Sequence, residues 1–309
     1  MPSLLDKRLV FVTGKGGVGK TTVAAALGLA AARAGKRTIV CEVAEQERLA
    51  GMFGHGDTGY AEVELAERLW AISIDPQRAQ EEYLRDQLPS RTLAGMLAGS
   101  SLFTYLSAAT PGLRELLTVG KVWELAQLER RDRARTPYDL VIVDAPATGH
   151  GLGLLTAPRT FRDVARVGPI ARQAGVIHTF LSDPKRTGVV AVALPEETPV
   201  AETIELRRRL REELDTEVDA VVVNGLYPER FSGAESERIA SADGDVRPPA
   251  LRAALRSALS EHRRARTQRT QLRRLRRAVG DVSTLPFIFE PELGVADLER
   301  LSRGLERRL

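Results

Sequence analysis

Five short runs of Val, Ile and Leu without polar alternation, at 9–13, 38–43, 140–144, 188–194 and 220–224, predict buried parallel strands. A strand covered on both faces is apolar throughout, whereas a half-exposed one alternates. Residues 70–74 and 284–289 carry the same signal more weakly. Segments with helical periodicity separate these runs. The alternation predicts an α/β fold, a doubly wound and mostly parallel sheet. The first helix is expected from Lys20 to Arg33, ending before Gly35, which can take the left-handed conformation of a helix end.

Two helical stretches are too long for simple crossovers, about 77–135 and 156–182. They read as helical insertions in a single domain spanning 1–309, mounted where α/β proteins build ligand and partner surfaces. Residues 232–249 are polar, with Gly and Pro, and read as a loop. Residues 251–279 trace an amphipathic helix with ten arginines from Arg252 to Arg277 and a single acid, Glu261.

Composition narrows the classes. The single cysteine, Cys41, excludes an intrachain disulfide and a cysteine-built zinc or iron–sulfur site within one chain. The formal net charge of +4 is too small to imply nucleic acid as a partner. The N-terminal residues have no apolar core of signal-peptide length, and the longest apolar run, 23–32, is half a membrane span. A cytoplasmic protein with no transmembrane segment is expected. Only six lysines accompany 39 arginines, yet Lys15 and Lys20 share one glycine loop. A compact ammonium suits a phosphate approached end-on.

That loop, Gly14-Lys15-Gly16-Gly17-Val18-Gly19-Lys20-Thr21, fits G-x-x-x-x-G-K-[ST] between a strand and a helix. Its backbone N–H groups are expected to cradle the phosphates of ATP. Lys20 would reach the β- and γ-phosphates, Thr21 would coordinate Mg²⁺, and Thr22 joins the same binding set. Asp144 ends its strand and would hold the water shell of Mg²⁺. Thr148, Gly149 and His150 follow as a loop able to sense the γ-phosphate.

The chain also carries Asp144 to Leu152 as DAPATGHGL, then Leu181-Ser182-Asp183-Pro184-Lys185-Arg186-Thr187, Leu194-Pro195-Glu196-Glu197 and Glu202-Thr203. Val222-Val223-Asn224, Leu285-Pro286-Phe287 and Glu292-Leu293-Gly294 come later, and Leu69-Trp70-Ala71 with Ile74-Asp75-Pro76 earlier. Together these resemble the arsenical-pump ATPase family, which includes the ATPases that deliver tail-anchored membrane proteins. The resemblance implies a P-loop ATPase of the deviant Walker A type, with Lys15, Lys20 and Asp144 catalytic. It implies that Lys15 crosses a dimer interface to the partner's nucleotide. It assigns Asn224 to the adenine edge and Pro286 and Phe287 to the adenine wall. The expected partners are a second copy or a related chain, and a hydrophobic or membrane-bound client protein.

Three departures qualify the resemblance. The water-orienting aspartate of the family's first switch aligns with Ala44, which predicts slow hydrolysis; Glu42, Glu45 and Glu47 lie nearby but out of register. No C-x-x-C pair exists to clamp a dimer with zinc, and no cysteine triplet to capture arsenite. Met1, Met52 and Met96 are the only methionines, whereas the family's client groove is rich in them. The insert around Leu84, Leu88, Leu93, Met96, Leu97, Leu102, Phe103 and Leu106 is apolar enough to cup a helix, or to be ordinary packing. The alternative function is a partition or cell-division type ATPase that positions itself on DNA or membrane through its arginine-rich helix.

Overall fold

The structure, a computed structural model, describes residues 3–43, 47–87, 110–130, 132, 134–165, 168–243 and 248–306. Its strands are β1 (Leu9–Gly14), β2 (Thr38–Glu42), β3 (Val63–Ala66), β4 (Leu69–Ser73), β5 (Leu140–Ala147), β6 (Thr187–Ala193), β7 (Ala220–Leu226) and β8 (Ser283–Pro286). They form one sheet in the order β3-β4-β2-β5-β1-β6-β7-β8. β1 lies parallel between β5 and β6, with Val12 opposite Asp144 on one side and Val190 on the other. β2 continues the parallel set, with Glu42 opposite Asp144.

The helices are α1 (Lys20–Arg33), α2 (Leu49–Met52), α3 (Pro76–Gln87), α4 (Leu113–Leu125), α5 (Thr148–Ala165), α6 (Pro169–Leu181), α7 (Glu197–Leu214), α8 (Gly233–Asp243), α9 (Pro249–Val279) and α10 (Val295–Glu306). Side chains alternate across each strand, so the sheet feeds two cores. Val10, Val12, Val40 and Ile142 pack with Val23 and Leu27 of α1 and Leu298, Leu301 and Leu305 of α10. Leu9, Phe11, Val141 and Val143 pack with Val119 of α4, Leu155 of α5, Ile177 of α6, Leu206 of α7 and Leu275 of α9. Burying one such leucine contributes roughly 1.5–3 kcal/mol. Leu298, Leu301 and Leu305 are thereby committed to the core beside α1.

All seven strands expected from the sequence are present, within one to three residues at most ends. The eighth, β3, escaped notice because only Leu65 of its four residues is buried, and it pairs antiparallel with β4 at the sheet edge. Residues 232–249 are not simply a loop. Ser232 and Glu235 cap one another, Glu235 N donating to Ser232 Oγ at 3.3 Å and Ser232 N to Glu235 Oε2 at 2.8 Å, and α8 follows. The S-x-x-E signal of that capping box was legible.

The first insertion is only partly helical. α4 stops at Leu125, and the irregular chain beyond is tied down by Arg130, which bonds Glu124 at 3.1 Å and Glu62 at 2.7 Å. Residues 88–109, with Leu88, Leu93, Met96, Leu97, Leu102, Phe103 and Leu106, lie outside the described residues. The second insertion begins earlier than expected, because β5 runs to Ala147 and α5 starts at Thr148. Thr148, Gly149 and His150 are therefore the first turn of a helix and not a loop. Among the described residues no helix is long and apolar enough to cross a membrane.

Candidate functional site

β2, β5 and β1 end side by side, and the chain passes from β1 through the glycine loop into α1. Gly19 opens the helix at φ 87° and ψ 35°, in the left-handed region. A Cβ there would also stand 2.2 Å from Asn224 Nδ2. At Gly14 a Cβ would stand 2.2 Å from the Val192 carbonyl oxygen of β6. Gly17 differs, since no atom lies within 4 Å of where its Cβ would be. The ends of the loop are thus clamped by protein while its middle faces open space beside the positive end of a 14-residue helix. An open loop with a clamped backbone suits a polyphosphate.

Lys20 Nζ donates to the Lys15 carbonyl at 3.1 Å, which lays the ammonium across the loop. Burial pushes the Lys20 pKa down, and the charge of Asp144 partly opposes the shift. Thr21 Oγ1 donates to Asp144 Oδ2 at 2.5 Å. Asp144 is 8% exposed. Burial raises its pKa to about 6 against the Thr21 hydrogen bond and the charges of Lys20 and Arg48. Its second oxygen, Oδ1, is buried without a hydrogen-bond partner. A buried carboxylate oxygen with nothing to bind is costly unless a cation or an ion's water shell takes it up. Thr21 and Asp144 therefore fit a hydrated magnesium, with the hydroxyl and the carboxylate already in contact. Among the described residues no three His, Cys, Asp or Glu side chains converge as a ready-made metal cluster. The phosphates and water would have to complete the shell. Thr22 sits half-buried on the first turn of α1. Thr148 Oγ1, at the start of α5, is a further buried oxygen without a partner.

Glu42, out of register in the sequence, belongs to this neighbourhood in space. It is 2% exposed at the end of β2. Its Oε1 accepts from Arg48 N at 2.9 Å and Leu49 N at 3.0 Å, capping α2, while Oε2 is buried without a partner. Burial raises its pKa to about 7 despite those two backbone hydrogen bonds, and the charges of Asp144 and Glu47 add to the rise. A signal existed: a lone carboxylate ends an apolar run, as Asp144 ends its own. Ala44 and Glu45 lie outside the described residues.

Lys15 leans within its own chain, its Nζ 2.9 Å from Glu202 Oε1 of α7, with both side chains more than a third exposed. Asn224 is expected at the adenine edge and has a partner within the chain. Its Nδ2 donates to the Val18 carbonyl at 3.0 Å, so this amide braces the glycine loop from β7. Pro286 ends β8, and the exposed Phe287 stacks on Tyr227 with centroids 4.6 Å apart. Phe289 meets both rings edge-on. Tyr227 was missed because only the pairing of β7 with β8 brings it to Phe287.

A concavity lies away from the loop. α3, α4 and α6 enclose a cleft whose apolar lining includes Ala79, Leu113, Leu116, Leu117, Ile170 and Ile177. Glu82, Lys121 and Glu124 also line it, and Lys121 Nζ pairs with Glu82 at 2.8 Å and with Glu124 at 3.2 Å.

A family model described as anion-transporting ATPase matches residues 7–173 and 170–241. ATPase BagA of Mycobacterium tuberculosis is 32% identical over 259 residues, covering 81% of this chain and 74% of that protein. The arsenical pump-driving ATPase of Acidiphilium multivorum is 29% identical over 250 residues, 75% of this chain and 41% of that protein. ATPase get3 of Pyrenophora tritici-repentis is 29% identical over 223 residues, 69% of this chain and 61% of that protein.

Proposed function

The chain belongs to the anion-transporting ATPase family and is a nucleotide-dependent ATPase, and from that premise we propose that it is a magnesium-dependent ATP switch that closes as a dimer around an apolar client. The observation that carries this reading is the contact of Thr21 with Asp144 beside a glycine loop spanned by Lys20. The loop N–H groups and the start of α1 bind the phosphates, and Lys20 turns from the Lys15 carbonyl to a phosphate oxygen. Thr21 and Asp144 hold the cation, which when bound neutralises charge gathering on the phosphate oxygens. Asn224 keeps the loop in shape, and Pro286 and Phe287, with Tyr227 behind, form an apolar wall for the base. Thr148, in the first turn of α5, links the state of the phosphates to a helix that packs on α6 and the cleft.

Hydrolysis is slow in this reading. Ala44 stands where the resembling family places a water-orienting aspartate, and such groups are worth about 10²–10⁴-fold in rate. Binding does not depend on that position, so a nucleotide-loaded state persists. Ala44→Asp should raise turnover at least about tenfold. A wild type that already turns over fast, and is crippled by Glu45→Gln, would assign the role to Glu45 instead.

The decisive measurement is ATP turnover beside solution mass, with and without a non-hydrolysable ATP analogue. The reading predicts a monomer-to-dimer shift with the analogue. An unchanged mass, for this chain alone and for this chain mixed with a related chain, overturns the clamp. A second reading rests on α9, where nine of the ten arginines from Arg252 to Arg277 are exposed. ATP-dependent retention on DNA or on anionic vesicles would favour a positioning ATPase over a client switch.

A further inference from the structure

Glu42 is a buried carboxylate with a partnerless oxygen that neither the family resemblance nor the proposed mechanism uses. It occupies the last position of β2, directly opposite Asp144 of β5 in the parallel register. Cα partners in adjacent parallel strands project to the same face. For these two it is the face of Val40 and Ile142, which packs on α1. Both carboxylates are deeply buried, 2% and 8% exposed, and each keeps one oxygen without a partner, Glu42 Oε2 and Asp144 Oδ1. Two acids with idle oxygens, paired in register on adjacent strands, make poor packing for its own sake. Replacing both with apolar groups would remove the desolvation cost.

The other Glu42 oxygen has a different task. Oε1 accepts from the backbone N–H groups of Arg48 and Leu49, the residues that open α2. One side chain thus touches the segment after β2 with one oxygen and keeps the other buried and unpartnered.

We infer that Glu42 is a positioning residue for the hydrated magnesium of the nucleotide site. Its free oxygen would accept a hydrogen bond from a metal-bound water beside Asp144, while its capped oxygen ties that water to the start of α2. The inference rests on the proposed Mg²⁺–nucleotide reading of the glycine loop. A carboxylate behind a bound water orients it and strengthens the site without ligating the metal, and loss of such a partner commonly costs about 10–100-fold in metal affinity. The same side chain gives this chain a route from the metal site to Arg48 and Leu49 at the start of α2 that needs no aspartate at position 44.

The test uses the full chain with ADP and Mn²⁺ in place of Mg²⁺, so that no turnover is required. Glu42→Gln keeps an oxygen to cap α2 but replaces the second acceptor with a donor. Mn²⁺ affinity of the ADP complex, followed by electron paramagnetic resonance, should fall about tenfold. ADP affinity in excess EDTA should stay within about twofold. Unchanged Mn²⁺ affinity in a folded Glu42→Gln chain means that Glu42 only caps a helix, and overturns the inference. If the variant does not fold, the unmodified chain labelled with ¹³C at glutamate Cδ takes its place. Its Mn²⁺–ADP complex should show a weak ¹³C coupling from a carboxylate one water removed, and absence of that coupling is equally fatal. A wild type that binds neither Mn²⁺ nor ADP would instead sink the nucleotide reading itself.

Discussion

The glycine loop and the cleft between α3, α4 and α6 are two candidate binding surfaces of one chain built by opposite means. The loop is made by eight consecutive residues whose backbone does most of the work, clamped at Gly14 by Val192 and at Gly19 by Asn224. The cleft draws Ala79, Leu116 and Ile177 from three separate helices and offers side chains only. A polyphosphate asks for fixed donors and charge, which a local motif can supply. An apolar partner asks for area, which only packing of distant segments can supply. The two should therefore fail independently under substitution.

The largest expected effect is on the loop. Lys20→Ala should weaken ATP binding by about 10- to 100-fold, the range for a lost hydrogen bond to a charged group. Isothermal titration of both forms checks it, and ligand binding at the cleft measured without nucleotide should not change. Conversely, Leu117→Glu places a charge in the apolar lining. Retention of a transmembrane-helix peptide should fall about tenfold while ATP affinity holds; a parallel loss of both would merge the two regions into one cooperative unit.

Smaller effects sharpen the link between them. Lys15 is paired with Glu202 in cis, so closure across a dimer must first break that pair. Exposed pairs of this kind are worth about 0.2–1 kcal/mol. Glu202→Gln should therefore tighten the ATP-induced dimer by no more than about fivefold, and Lys15→Ala should weaken that dimer while one-chain nucleotide affinity stays within about twofold. Sedimentation with the non-hydrolysable analogue separates these outcomes. A dimer loosened by Glu202→Gln would make the pair part of the closed state.

The smallest effect belongs to the polar hollow that shares Glu82, Lys121 and Glu124 with the cleft and holds Glu62. Burial pushes the Glu62 carboxyl up, but hydrogen bonds from Arg130 and Tyr138 and the charges of Arg130 and Arg135 outweigh it, leaving a pKa of about 2 against an ordinary 4.5. A carboxylate held below its unfolded value stabilises the fold above the ordinary pKa and loses that contribution as pH falls toward the folded one. Melting temperature should drop between about pH 4.5 and 2 through this group, and Glu62→Gln should flatten that part of the acid limb. An unaltered limb would assign the acid sensitivity elsewhere.

Much was legible before any coordinates. Continuous apolar runs announce parallel strands, because burial on both faces removes polar alternation, and the glycine spacing with Lys20 and Thr21 marks the loop because phosphate binding uses consecutive backbone. Asp144 was readable for a similar reason, as a carboxylate closing an apolar run. What stayed hidden was long-range. Glu42 lies 102 positions before Asp144, and only the β2–β5 register sets them side by side. Asn224 on the Val18 carbonyl, Tyr227 on Phe287 and Lys15 on Glu202 likewise depend on strand order and helix packing. The sequence by itself determined the elements and the phosphate loop, since local periodicity and backbone chemistry are written in neighbouring residues. The tertiary structure alone decided that Glu42 lies beside Asp144, that Asn224 braces the loop and that Tyr227 stacks on Phe287, because loop closure brings together groups that no short window contains.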